Sequence, residues 1–140
     1  MTGDNLKKEK IKVLLIEPMC HPKPYYVEPS MKAFADVVND GVAERGEVEA
    51  KKLEKRIYAI FNKDRFFTDL APNRSIDDDI IVGKMLIVAI NKNRMPISLT
   101  DDQMTKYAYE FWNTEVFDDM DVIEANMKTF TRKLLIDEKL

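Results

Sequence analysis

The chain has 140 residues, of which 45% are hydrophobic and 34% are charged, and its formal net charge is −3. This composition predicts one soluble globular domain and excludes a bulk positive charge that would attract nucleic acid. No apolar run approaches the roughly 18 residues that cross a bilayer, the N-terminus lacks a signal-peptide core, and the single cysteine excludes an internal disulfide. We therefore expect a cytoplasmic protein with no membrane contact.

The first half of the chain opens with residues 1–10, which are polar and predict a disordered tail. The run IKVLLIE, from Ile11 to Glu17, predicts a strand that is buried on both faces. Four prolines in the next twelve residues indicate a stiff loop, because proline fixes φ and lacks an amide donor. Apolar residues at helical spacing then predict a helix that opens at Pro29 and stops near Asn39–Gly41.

Three further strands are predicted between residues 46 and 90. The segments GEVEAKKLE and RIYAIFN alternate apolar and polar residues, which indicates two adjacent strands with one wetter face. A turn at Asn62–Asp64 and a polar loop, APNRSIDDD, come next. Ile80–Ile90 then predicts a second strand that is buried on both faces, with Gly83 as a bulge or a point of close approach.

Two helices are predicted in the C-terminal third. Thr100 and Gln103 have the spacing of a capping box, in which each side chain accepts a hydrogen bond from the backbone amide of the other residue. A last helix is predicted to begin at Asp118. Its apolar residues have heptad spacing, which predicts either packing on the chain's own sheet or a homodimer interface; they are Val116, Met120, Ile123, Met127, Phe130 and Leu134.

The element order β-α-β-β-(β)-loop-β-α-α predicts the α+β class. We expect a small mixed β-sheet with helices packed mainly on one face, followed by a C-terminal helix. The domain is predicted to span residues 11–112, and residues 113–140 form a helical extension.

Five phrases of this sequence stand together in the same order in one known family. Together they resemble the small bacterial and phage proteins called domain of unknown function 3846, over roughly residues 11–112. The phrases are VLLIEP at 13–18, PYYVEP at 24–29, APNRSI at 71–76, DIIVGKMLIVAI at 79–90 and SLTDDQMTKYAYEF at 98–111. The resemblance implies a setting in phages, prophages or conjugative elements and implies no activity. The chain departs from the family in having Lys84 after the glycine, where a small hydroxyl residue is usual, and in its C-terminal helix.

The polar segment before the second buried strand is the main candidate ligand site. Arg74 offers a planar fork for a carboxylate or phosphate, and Asn73 offers polar recognition. Tyr25 or Tyr26 can stack on a ring, and Glu17 lies at the end of a buried strand, where ligands often bind. The alternative is a structural clasp, in which Arg74 pairs with one of the aspartates at 77–79 and Asn73 caps a turn.

The residues for common catalysis are few. Cys20 and His21 lie near Glu17, but zinc needs about four ligands and a thiol hydrolase needs a base across its site. The aspartates at 77–79 lack the spacing of a calcium loop. No glycine-rich phosphate loop, G-x-S-x-G, H-E-x-x-H or C-x-x-C is present. We therefore predict no catalytic residue, no metal and no cofactor, and a protein that is not an enzyme.

Eight acidic residues and one basic residue, Lys106, lie between positions 101 and 124. This indicates either a solvated helical face or a surface for a basic partner; the candidate partner-binding residues are Asp101, Asp102, Asp118, Asp119 and Asp121. The leading hypothesis is a binding protein of a phage or mobile element, a counter-defence or regulatory factor that binds a host or element protein. The alternative is a binder that sequesters a nucleotide or similar anion near Arg74. A DNA mimic and an enzyme that uses Cys20 or His21 are two further hypotheses.

Overall fold

The computed structural model describes residues 9–40, 47–63 and 70–118, together with residues 120, 121, 124, 127 and 131. Within these ranges the elements follow one another along the chain as β1 Ile11–Ile16, β2 Lys23–Val27, α1 Met31–Val38, β3 Val48–Glu54, β4 Ile57–Asn62, β5 Pro72–Ile76, β6 Asp79–Val82, β7 Met85–Ile90, β8 Pro96–Ile97 and α2 Asp101–Glu110. Among these residues, no helix combines the length and the hydropathy that crossing a membrane requires.

The main sheet is antiparallel throughout, with strand order β2-β1-β7-β4-β3 and with β8 paired to the end of β7. The predicted α+β class is confirmed. The prediction of a mixed sheet is wrong, because every strand pair in the main sheet is antiparallel. Short connections join β1 to β2 and β3 to β4, and a short connection allows only an antiparallel pair. β5 and β6 form a separate hairpin.

Both faces of the main sheet are covered, because β1 and β7 are apolar at successive positions. On face one, Leu14, Ile16 and Ile87 pack with α2 and with the β5–β6 hairpin. On face two, Leu15 and Leu86 and their neighbours pack with α1. The two helices therefore lie on opposite faces, whereas the sequence predicted helices mainly on one face. A central strand that is apolar on both sides needs a cover on each side.

Two segments that the sequence predicted as loops are strands. The proline-rich segment contains β2, in which Pro24 pairs with Leu14 at the edge of the sheet, where a residue without an amide is tolerated. The polar segment forms β5. The predicted long strand Ile80–Ile90 is divided into β6 and β7 at Gly83, whose φ of +74° lies in the left-handed region that favours glycine.

The end of α1 and the start of α2 agree with the sequence signals, whereas α1 begins at Met31, two residues after the predicted opening at Pro29. Thr100 and Gln103 form the predicted capping box of α2, and Asn39 is the C-cap of α1, whose N-cap is Ser30. In the last helix, the amide of Asp121 donates to Asp118 at 2.7 Å. Val116 (85% exposed), Met120 (67%) and Met127 (59%) do not pack on the sheet. The other heptad positions, Ile123, Phe130 and Leu134, lie outside the described residues, as do residues 1–8 of the predicted tail.

Tyr107 connects α2 to β3, since its hydroxyl donates to Glu54, which also pairs with Lys106 at 2.9 Å. Burial, and then the hydrogen bond to Glu54, raise the pKa of Tyr107 above its ordinary value of 10.0. The folded chain therefore keeps this proton at a pH where the unfolded chain loses it. Stability is fully present below pH 10 and falls as the pH rises above it.

We expect Tyr107→Phe to lower the free energy of unfolding by about 1 kcal/mol at pH 7, the net value of one hydrogen bond. Above pH 10, the variant should lose stability less steeply than the wild type. Urea unfolding at pH 7, 9 and 11 measures both effects. The exposed Tyr109 supplies the matched control, Tyr109→Phe, which should change neither quantity. Equal alkaline slopes in the wild type and Tyr107→Phe would contradict the assignment.

Candidate functional site: the β5 hub and the surfaces around it

Asn73 lies on β5 and is fully buried (0% exposed). Its amide nitrogen donates to the carbonyl oxygen of Ile16 at 2.8 Å and to that of Gly83 at 2.7 Å. Both amide hydrogens are thus used to join the end of β1 to the break between β6 and β7. The sequence predicted that Asn73 contacts a ligand or caps a turn, and the structure instead places it as an internal bridge between strands.

Arg74 is also fully buried (0% exposed), and its donors are directed at main-chain oxygens. Nε donates to Phe111 at 3.1 Å, and Nη2 donates to Cys20 at 2.6 Å. Nη1 donates to the Asn73 side chain at 2.9 Å. Burial lowers the pKa of the guanidinium, and the nearby charge of Glu115 opposes this shift. A ligand cannot reach the guanidinium without displacing these contacts, so the geometry differs from the predicted anion site.

Two of the three aspartates that follow Arg74 pair with a lysine on β3. Lys51 on β3 lies 3.1 Å from Asp77 and 3.8 Å from Asp79. The structure thus supports a structural clasp at Arg74, but with main-chain carbonyls as the acceptors where the sequence predicted aspartates. A carbonyl oxygen has a partial negative charge and accepts hydrogen bonds. Several carbonyl groups can therefore stabilise a buried guanidinium without a carboxylate being buried beside it.

Ser75 extends the same set of contacts to the C-terminal extension. Its amide and its hydroxyl donate to the two carboxylate oxygens of Glu115, at 3.0 Å and 2.6 Å. Asn73, Arg74 and Ser75, which we call the β5 hub, therefore connect five parts of the chain. These are the end of β1, the β1–β2 loop, the break between β6 and β7, the C-terminus of α2 and the segment after it.

Cys20 and His21 lie at the surface over the hub. His21 stacks on Trp112, with ring centroids 4.0 Å apart and planes 8° from parallel, and its Nδ1 lies 2.7 Å from the Trp112 carbonyl oxygen. The carbonyl of Cys20, and not its exposed thiol, is what the hub uses. Within the described ranges, no three His, Cys, Asp or Glu side chains gather as a metal site.

Tyr25, Tyr26 and Glu17 do not converge on Arg74. Tyr25 and Tyr26 are successive residues of β2, so their rings point to opposite faces of the sheet. Glu17 and Tyr25 line a cavity of about 350 Å³ beside Lys84 on face two. Glu17 and Tyr25 therefore share a cavity whose lining includes neither Asn73 nor Arg74.

The predicted acidic residues do not form one surface. Asp101 and Asp102 lie in the first turn of α2, whereas Asp118 and Asp121 lie beyond its other end, and ten residues of helix span about 15 Å. Asp119 lies outside the described residues.

The heptad spacing of Val116, Met120 and Met127 allowed either packing on the sheet or an interface, and the structure leaves these three side chains exposed beside the later acids. Sequence reasoning did not anticipate that Tyr109 and Trp112 would be exposed with them. We call this set the C-terminal surface: the apolar residues Tyr109, Trp112, Val116, Met120 and Met127, and the acids Glu110, Glu115, Asp118, Asp121 and Glu124.

Comparison with known proteins gives one match. The family described as Domain of unknown function (DUF3846) matches residues 11–111, which run from the start of β1 to the C-cap of α2. The match includes Asn73, Arg74 and Ser75, but it ends before the exposed residues from Trp112 onward. No curated protein and no solved structure matches the chain.

Proposed function

The chain belongs to the DUF3846 family, and we propose that it is a non-enzymatic protein-binding module whose partner docks on the C-terminal surface. The single observation that carries this proposal is the exposure of five large apolar side chains between residues 109 and 127. Single exposed apolar residues are ordinary, whereas a contiguous apolar patch is typical of an interaction site, and we take these five side chains to form one.

The energetics favour a partner that covers this segment. Burying a valine or methionine side chain stabilises a complex by about 1.5–3 kcal/mol. Val116, Met120 and Met127 together can therefore contribute several kcal/mol. The hydrogen bonds of Ser75 to Glu115 fix the start of the segment on the β5–β6 hairpin, so less conformational freedom is lost on binding.

The charges around the apolar residues indicate the chemistry of the partner. Asp118, Asp121 and Glu124 are exposed beside Met120 and Met127, and the part of this surface that the structure describes contains no lysine or arginine. A second copy of the chain would bring the same acids together. A partner with apolar side chains flanked by lysine or arginine is complementary, and such a rim accelerates encounter and selects the partner. This favours a hetero-complex over the homodimer that the heptad spacing also permitted.

The biological setting of the proposal rests on the family resemblance. Families found in phages and conjugative elements supply factors that act on host or element proteins, and a counter-defence or regulatory role fits a small chain with a docking surface. The alternative hypothesis, a nucleotide-like anion held by Arg74, finds no support in this geometry, because the guanidinium is enclosed by main-chain oxygens.

The test compares two methionines that are both exposed but lie on different surfaces. Tagged wild-type protein, Met120→Glu and Met95→Glu are used to capture proteins from a host lysate, and each captured protein is then purified and titrated. We expect a partner whose dissociation constant rises at least tenfold with Met120→Glu and changes less than twofold with Met95→Glu. Its association rate should also fall as salt is added, because salt screens the acidic rim.

Two outcomes contradict the proposal. One is a partner that both variants bind equally, which would place the interface elsewhere on the chain. The other is the absence of any protein that binds the wild type and is lost with Met120→Glu.

A further inference from the structure

A second candidate site lies on face two of the sheet, away from the C-terminal surface. It is a cavity of about 350 Å³ between the end of β1, the edge strand β2 and the C-terminal half of α1. This volume lies within the range of small-molecule sites, roughly 300–1,000 Å³. We propose that the cavity binds a small zwitterion of the α-amino-acid class with an apolar side chain.

Charged side chains of both signs line the cavity: Lys23 and Lys84, and the acids Glu17, Asp36 and Asp40. Four of them follow one another with alternating sign. Lys23 lies 3.1 Å from Glu17, Glu17 lies 3.8 Å from Lys84, and Lys84 lies 2.7 Å from Asp40. Lys84 and Glu17 form the floor, and each side chain is only about a quarter exposed (28% and 26%). Lys23 and Asp40 lie nearer to the rim and are more exposed.

The longest of these three distances, between Lys84 and Glu17, marks the place for a ligand. The 3.8 Å between Lys84 Nζ and Glu17 Oε2 is longer than a hydrogen bond, so neither group satisfies the other fully. A ligand carboxylate can accept from Lys84, and a ligand ammonium can donate to Glu17. Both groups of an α-amino acid are attached to one carbon, which suits two protein charges this close together.

A ligand with a single charge fits this cavity less well. An anion attracted by Lys84 also meets Glu17, Asp36 and Asp40, and a cation attracted by Glu17 also meets Lys84 and Lys23. A zwitterion can place each of its charges opposite a partner of the other sign.

The apolar residues of the lining determine which kind of side chain the ligand has. Leu15 and Val37 provide an aliphatic wall, and the ring of Tyr25 provides a third side. A branched aliphatic or aromatic side chain buries apolar area against this wall. Lys84 stands where the resembling family usually has a small hydroxyl residue. A hydroxyl residue could not reach Asp40, so the site belongs to this chain in particular.

The test uses leucine and phenylalanine as probes in isothermal titration with the full chain. Two analogues of leucine each lack one charge: 4-methylpentanoic acid lacks the ammonium, and 3-methylbutylamine lacks the carboxylate. We expect at least one amino acid to bind, and both matching single-charge analogues to bind at least tenfold more weakly. Failure of both amino acids to bind, or an analogue that binds as tightly as its parent, overturns the proposal.

Variants then locate the binding. Lys84→Met should weaken the binding of the amino acid at least tenfold. The isosteric Glu17→Gln should weaken binding by as much, and it is expected to disturb the fold less than Lys84→Met does. Lys106→Met is the matched control, since Lys106 pairs with Glu54 outside the cavity and its loss should leave affinity unchanged. Undiminished binding in both Lys84→Met and Glu17→Gln overturns the assignment to this cavity. Neither result bears on the C-terminal surface, because the protein partner is measured separately.

Discussion

Replacement of Arg74 by lysine is expected to lower the free energy of unfolding by about 3 kcal/mol, even though the charge is kept. A guanidinium sends separate donors to Phe111, Cys20 and Asn73 from one rigid plane. An ammonium on a lysine stem cannot reach all three, and each buried carbonyl that loses its donor costs about 1–3 kcal/mol. The smaller head group also leaves unfilled space in a site that is fully buried.

Chemical denaturation followed by circular dichroism measures this loss. Arg56 provides a matched control, because it lies exposed in the β3–β4 turn and Arg56→Lys should change stability by less than about 0.5 kcal/mol. A loss below 1 kcal/mol for Arg74→Lys would mean that the carbonyl contacts of the guanidinium contribute little to the fold.

Replacement of Asn73 by aspartate is expected to be nearly as damaging, by about 2–4 kcal/mol at pH 7. The two side chains have almost the same shape, so packing is retained. However, the amide nitrogen that donates to Ile16 and Gly83 becomes an oxygen, which faces two carbonyl oxygens at hydrogen-bond distance. The change replaces two attractive contacts by two repulsive ones and buries a carboxylate, and the hydrogen bond that Arg74 Nη1 donates to this side chain offsets only part of that cost.

Denaturation of Asn73→Asp at pH 7 and pH 5 tests this expectation. Protonation allows the carboxyl to donate again, so the loss should be smaller at the lower pH. Asn93→Asp, in an exposed turn, is the control and should be close to neutral. If Asn73→Asp proved as stable as the wild type at both pH values, the amide could not be oriented as the structure has it.

Several elements could be predicted because their signals are local. The runs from Ile11 and toward Ile90 contain too few polar side chains for a strand with a wet face, and both strands are buried on both sides. The start of α2 could be predicted because Thr100 and Gln103 satisfy each other's amides within one turn. These signals depend only on neighbouring residues, so tertiary structure did not alter them.

The strand β5 could not be predicted, because its stability comes from distant parts of the chain. Pro72 to Ser75 have a polar, turn-like composition, and the burial of Asn73 and Arg74 depends on acceptors in β1, the β1–β2 loop and α2. The sequence suggested the nearest aspartates as partners for Arg74. Main-chain carbonyls satisfy it instead, and no residue type marks a carbonyl that lacks a donor.

The distribution of the candidate site residues also depended on the strand pairing. Glu17 and Tyr25 were predicted together with Arg74, but pairing of β2 along β1 places Tyr25 on face two, beside Lys84. Lys84 was visible in the sequence only as a departure from the family pattern. Its contact with Asp40, 44 residues away, depends on where α1 packs on the sheet.

The long sequence separations within the β5 hub have a consequence for the rates of folding and unfolding. Its hydrogen bonds join residues that are 57, 54, 40 and 37 positions apart. Hairpins such as β3–β4 close much shorter loops and form with less loss of entropy, so the hub is expected to close late, after the main barrier. Interactions that are absent from the transition state slow unfolding without accelerating folding. The hub therefore determines how long the native chain persists between unfolding events, and hence how long it resists proteolysis when cleavage is faster than refolding.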